Sequence, residues 1–145
     1  MPVYTEHRKA RFEYETLEKF EGGLALTGAE VKSIREGGAK LEGSYIKPLR
    51  NELWLIGAQI RAYSKDGNRE GYDPARSRKV LVKKNELLTL LGKIQQKGLT
   101  LVPFSLYPSG RRIKVAFGLC RGRKAHDKRE ALKTRDLKRQ IRLEE

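Results

Sequence analysis

Apolar and polar residues alternate along most of this chain, and within residues 1–120 the pattern turns helical in two places. The stretch RKARFEYETLEKF alternates through Phe12, Tyr14 and Thr16, then shifts phase to Leu17 and Phe20. A phase shift of that kind predicts a strand with a bulge near its middle. Leu24 and Leu26 predict a further short strand. Thr27-Gly-Ala-Glu30 then reads as a capping box opening a helix, with Val31 and Ile34 inward and Gly37-Gly38 as its stop. Tyr45–Leu49 and Leu53–Tyr63 predict a hairpin turning near Arg50-Asn51-Glu52, with Trp54 assigned to the core. Residues 65–78 are loop, marked by Gly67, Asn68, Gly71 and Asp73-Pro74, and KVLVK is one more strand. The second helix starts with Asn85 as a cap, carries Leu87, Leu88, Leu91 and Ile94 on its apolar face, and stops at Gly98.

Two long alternating strands follow. LTLVPFSLY presents Leu99, Leu101, Phe104 and Leu106, with Pro103 marking an edge or a bulge. RRIKVAFGL presents Ile113, Val115, Phe117 and Leu119, after a turn at Pro108-Ser109-Gly110. About six short antiparallel strands with two main helices predict an all-β fold with short helices, an OB-like antiparallel barrel. The predicted barrel spans residues 1–120, and residues 121–145 form a separate basic tail.

Charge narrows the partners. Lys and Arg number 32 against 18 Asp and Glu, a formal net charge of +14. Such an excess favours a polyanion, with nucleic acid as first candidate and an anionic membrane as second. No apolar run approaches the ~20 residues of a membrane span, and the N-terminus lacks a signal-peptide core, so a cytoplasmic protein is expected. Cys120 is the single cysteine, excluding an internal disulfide; its place in a strand predicts a small buried hydrophobe. His7 and His126 are the two histidines, and no metal-ligand, nucleophile-elbow or phosphate-loop spacing is present. The expectation is therefore a non-enzymatic protein with neither metal nor cofactor.

RNA binding requires cations for phosphates and aromatic rings for unpaired bases. The cations concentrate in Arg8–Arg11, in Lys32 and Arg35, in residues 76–84, and in the tail. Glu30 supports two readings, a capping-box partner and a carboxylate accepting from a base. Leu91 likewise is either core or contact. In the tail, ten basic residues oppose five acidic ones. Lys124–Lys128, Arg129–Lys133, Arg135–Arg139 and Lys138–Arg142 are like-charge pairs at helical spacing, which oppose a free helix. Asp127 and Glu130 nonetheless form a D-x-x-E cap that leaves His126 outside the helix start, where an imidazole can stack on a base.

ETLEKFEGGLALTGAEVKSIREG, DPARSRKVLVKK, LLGKIQQKGLTLVP and RGRKAHDKRE together resemble the SmpB family of bacterial trans-translation, over about residues 9–139. The resemblance implies an OB-type body that binds the tRNA-like domain of transfer-messenger RNA. It further implies delivery, with elongation factor Tu on the alanylated RNA, to stalled ribosomes, where the tail occupies the empty mRNA channel. A monomer is implied, with a tail disordered when free and helical on the ribosome. Carried over by motif, the RNA-binding residues are Arg11, Glu30, Lys32, Arg35, Leu91, Gly92 and Lys93, with Lys9, Arg121 and Lys124 as phosphate contacts. The tail motif Gly122-Arg123-Lys124-Ala-His126-Asp127-Lys128-Arg129 assigns His126, Asp127, Lys128 and Arg129 to the decoding centre. Departures from the family pattern are Phe12 for histidine, Cys120 for alanine, Arg123 for lysine, Asn85 for arginine, and an early acidic end. A ribosomal or ribosome-assembly protein shares the basic barrel and tail and is the competing reading; an RNA-modifying enzyme lacks its constellation.

Overall fold

The computed structural model describes residues 3–65, 70–95 and 98–122, and for Arg11 and Phe12 the backbone alone. The strands are β1 (Thr5–Glu6), β2 (Tyr14–Leu24), β3 (Ala39–Lys40), β4 (Tyr45–Leu49), β5 (Glu52–Ile56), β6 (Gln59–Ile60), β7 (Arg78–Leu81), β8 (Leu99–Ser109) and β9 (Arg112–Gly122). The helices are α1 (Ala10–Glu13), α2 (Gly28–Arg35) and α3 (Lys84–Ile94).

Six strands close a ring in the order β8-β4-β5-β7-β2-β9, with β9 pairing back onto β8; every pairing is antiparallel. β1 adds to β8, and β3 pairs with β6 as a separate small ribbon. Closing the sheet on itself removes the exposed edges that an open sheet presents. Inward-facing alternate residues fill the ring: Ile46, Leu53, Leu55, Val80, Leu101, Leu106, Ile113, Val115, Phe117 and Leu119 are all buried.

Several sequence expectations hold in detail. The β2–β9 register shifts between Thr16 and Glu18, placing the bulge at Leu17. The β8–β9 register shifts between Pro103 and Ser105, so Pro103 marks a bulge. The ring of Phe104 then lies over Gly118, where an added Cβ would stand 2.6 Å from the ring edge. Arg50 and Asn51 turn the β4–β5 hairpin with φ of 52° and 60°, as a tight primed turn requires. Cys120 is fully buried, in a small cluster with Ala10 and Val102.

Other expectations are corrected. Residues 10–13 form one helical turn where a strand was expected, and that turn drops Ala10 onto Val102 and Cys120. No separate strand begins at Leu24; β2 runs unbroken to it and ends. The strand expected over Leu53–Tyr63 breaks at Gly57, whose φ of +84° is incompatible with an extended ladder. The β8–β9 turn lies at Gly110-Arg111, because Pro108 and Ser109 still pair with Ile113 and Arg112. Lys83 holds the N-cap position of α3 without a side-chain capping bond, while Asn85 sits inside the first turn and accepts from the Glu86 amide at 3.0 Å. Leu90 is the buried residue of α3, flanked by Leu87 and Ile94, and Leu88 is 62% exposed. The helical stripe 87-90-94 leaves position 88 about 100° beyond Leu87 and farther still from Leu90 and Ile94. Trp54 is only half-buried: Leu53 and Leu55 take the core side of β5, so strict alternation turns Trp54 outward.

Candidate nucleic-acid interface

The cationic residues expected to bind RNA fall on a few neighbouring elements. Lys9 is exposed at the start of α1, and Arg11 follows within that turn. At the same end of the barrel, Glu15 pairs in register with the exposed Arg121, and Tyr14 with Gly122. β9 therefore continues two residues past the boundary drawn at 120. Lys124, His126, Asp127, Lys128 and Arg129 lie outside the described residues.

Lys32 and Arg35 sit three residues apart, on one side of α2. Lys32 Nζ stands 5.5 Å from the centre of the Tyr63 ring, within cation–π range. Arg35 Nη2 donates to the Arg111 carbonyl at 3.4 Å. On α3, Lys93 forms an ion pair with Glu18 at the β2 bulge, half-buried Leu91 precedes it, and a Cβ on Gly92 would meet open space. The structure thus brings Leu91, Gly92 and Lys93 beside β2, while Lys32 and Arg35 reach toward Tyr63 and the β8–β9 hairpin.

A cleft of about 710 Å³ runs between α2 and the start of α3. Its lining includes Lys83, Arg111, Arg112 and Lys114, facing Glu21 and Glu86. Arg111, Arg112 and Lys114 were not among the sequence candidates. The signal was present as a basic pair beside Gly110, but only the barrel register carries that hairpin to α2. Glu21 has its carboxyl held below the usual range, first by the Tyr107 hydroxyl and then by Lys114, whose Nζ lies 3.6 Å away. Burial and the Glu21 charge push Tyr107 up to about 12.

Glu30 is the most constrained member of the set. Its side chain is 1% exposed, and Thr27 and Glu30 satisfy each other's backbone amides at 3.0 and 3.2 Å. The carboxylate also accepts from Arg76, from Arg78 Nε and Nη2 at 2.9 and 2.7 Å, and from the Tyr72 hydroxyl at 3.2 Å. Burial alone would raise its pKa, but the Thr27 amide and the Arg76 and Arg78 guanidinium groups outweigh burial and lower it. With its oxygens saturated from inside, Glu30 holds Thr27, Tyr72, Arg76 and Arg78 together. Burial and the nearby Glu30 charge raise the pKa of Tyr72.

Arg78 belonged to the basic run expected at the surface, yet it is fully buried. Its remaining donors reach the Ala58 and Pro74 carbonyls at 3.0 and 2.9 Å and the Tyr72 hydroxyl at 3.0 Å. All five guanidinium hydrogens are therefore used, which is the condition for burying an arginine. Arg78 ties the 70–78 loop to α2, leaving half-exposed Arg76 at the rim. A smaller cavity of about 270 Å³ beside it is lined by Thr27, Glu30, Arg61, Tyr63 and Tyr72, among others.

The chain is similar to known proteins along nearly its whole length. The family model described as SmpB protein matches residues 4–144. The SsrA-binding protein of Thermosynechococcus vestitus is 47% identical over 139 residues, covering 96% of this chain and 91% of the relative. The SsrA-binding protein of Carboxydothermus hydrogenoformans is 46% identical over 139 residues, covering 96% and 93%. A chain in the solved structure described as "tmRNA-SmpB: a journey to the center of the bacterial ribosome" is 46% identical, with a TM-score of 0.69. The match covers 91% of this chain and 95% of that one. A model matched from Tyr4 to Glu144, with relatives near half identity, leaves one conclusion: the chain belongs to the SmpB family.

Proposed function

We propose that this protein is an RNA-binding adaptor that carries transfer-messenger RNA to stalled ribosomes for trans-translation. The observation that carries the reading is the 46% identical chain solved with transfer-messenger RNA on the ribosome, matched over 91% of this chain. The barrel body holds the tRNA-like domain through cations rather than chemistry of its own. Lys32, Arg35 and Lys93 neutralise phosphates, Leu91 and Gly92 form the apolar and close-approach part of the contact, and Lys9, Arg11 and Arg121 extend it along β2 and β9. Glu30 works as a positioning residue, through Arg76, Arg78 and Tyr72. Lys124 adds a further phosphate contact beyond Arg121, and His126, Asp127, Lys128 and Arg129 supply the ribosomal half of the function at the decoding centre. Elongation factor Tu accompanies the alanylated complex, the protein acts as a monomer in the cytoplasm, and no catalytic step is assigned to it.

The test is a gel-shift titration with the tRNA-like domain over a series of salt concentrations. Binding should weaken steeply with salt and exceed that of ordinary tRNA, because each phosphate contact releases counterions. Equal affinity for both RNAs refutes the proposal. Deleting residues after Gly122 should leave this binding nearly unchanged while abolishing peptide tagging on stalled ribosomes.

A further inference from the structure

The face of the barrel centred on Trp54 carries none of the residues assigned to the tRNA-like domain. Antiparallel register places Lys47 directly opposite Trp54 on one side and Lys79 directly opposite it on the other. Residues paired in this way project to the same face of the sheet. Tyr45 lies on that face too, opposite Ile56 and diagonal to Trp54, and it is 42% exposed. Diagonal neighbours on a sheet are within reach of aromatic side chains, so the two rings share one face, with a lysine on each flank of Trp54. The carboxylate on this face, Glu52, is taken up by Lys79 at 3.0 Å. An approaching phosphate therefore meets Lys47, with Arg50 at the hairpin tip beyond it. Adjacent aromatic rings beside uncompensated cations are what unpaired nucleotides recognise, the rings stacking bases and the cations following the backbone.

β5 stands three strands from β9 in either direction around the ring. A partner lying along β9, Arg121 and α1 cannot also cover Trp54 without wrapping the barrel. We propose that the outer face of β4, β5 and β7, with Trp54 and Tyr45 stacking bases and Lys47 holding phosphate, is a second RNA-binding surface. Its occupant is an unpaired stretch of ribosomal RNA. This proposal rests on the adaptor reading and adds to it a contact made while transfer-messenger RNA is already bound.

Trp54 is the single tryptophan of the chain, so its fluorescence reports this face alone. The full chain, saturated with the tRNA-like domain, is titrated with short oligoadenylate. Expected is quenching of Trp54 emission, unaffected by the bound domain. Trp54→Phe should keep the binding, measured by anisotropy of labelled oligoadenylate, and Trp54→Leu should weaken it about tenfold, one stacked base's worth. Lys47→Gln should reduce the salt slope by about 0.7, one phosphate on a single strand. Circular dichroism melting identifies any variant that has lost the fold, and for such a variant the wild-type quenching decides. Absence of quenching while the tRNA-like domain still binds overturns this inference and leaves the adaptor reading intact; failure of both overturns the adaptor reading. The source is tested by placing a photocrosslinking phenylalanine at position 45 in the complex on ribosomes. Crosslinks to ribosomal RNA support the assignment, and crosslinks only to ribosomal protein or to transfer-messenger RNA overturn it.

Discussion

Replacing Glu30 with alanine removes the counter-charge of a guanidinium that is 0% exposed. Two of the five Arg78 hydrogens lose their acceptor, and the charge has no route to water. Breaking a buried ion pair from one side costs about 3–5 kcal/mol, and the lost helix cap, about 1 kcal/mol, falls within that range. A domain with about 5–15 kcal/mol of stability stays folded but marginal. At a urea slope of about 2 kcal/mol per molar, the unfolding midpoint should drop by about 2 M. Acid unfolding provides a second readout. The Glu30 pKa is lowered in the folded state. Its contribution is therefore fully present above the unfolded carboxylate value, about 4.3, and is lost as pH falls through the folded value. Glu30→Gln should accordingly flatten the acid limb of the stability profile. Arg78→Met should cost less in the Glu30→Ala background than in the wild type, since the two side chains form one network. A midpoint shift worth under about 1 kcal/mol with an unchanged acid limb would refute the buried-pair account and leave the cap alone.

Three other outcomes follow from local geometry. Gly118→Ala places a methyl group 2.6 Å from the Phe104 ring and 3.1 Å from the Thr16 methyl, so denaturant titration should show a loss of about 1–3 kcal/mol. Burial raises the pKa of the Cys120 thiol, outweighing its contact with Thr16. Alkylation should therefore be slow in the native protein and speed up sharply in denaturant, and fast native labelling would contradict the burial. Tyr107 has its pKa raised to about 12, so the folded state holds that proton after the unfolded chain has released it near 10. Stability should decline as pH rises from about 10 toward 12, and Tyr107→Phe should remove that part of the decline in thermal melts.

Patterns that depend on neighbours in sequence were legible without a structure. The Thr27–Glu30 box, the bulge at Leu17, the hairpin turn near Arg50-Asn51-Glu52 and the alternation of β8 and β9 all appear where the sequence placed them. Each follows from short-range sterics or from period-two patterning, which a single segment carries in full. Positions that depended on a partner far along the chain were misread. Trp54 reads as core by its chemistry, but the phase of β5 is set by Leu53 and Leu55, and the ring is left outside. Leu90 lies on the same stripe as Leu87 and Ile94, yet only docking of α3 over the ring selects it above Leu88.

The candidate site divides along the same line. A net charge of +14 favours a polyanionic partner from sequence alone, and the order of the family's motifs is legible there too, since charge and composition are properties of the chain in any conformation. The roles of individual charges were decided by tertiary structure. Arg76 and Arg78 are two residues apart and identical in type, yet one is half-exposed at a rim and the other is sealed against Glu30, Tyr72 and two carbonyls. A guanidinium can be buried only where every hydrogen finds an acceptor. Those acceptors come from α2, from the residues after β5 and from the 70–78 loop. No local stretch contains them, so only the closed barrel assembles them around Arg78.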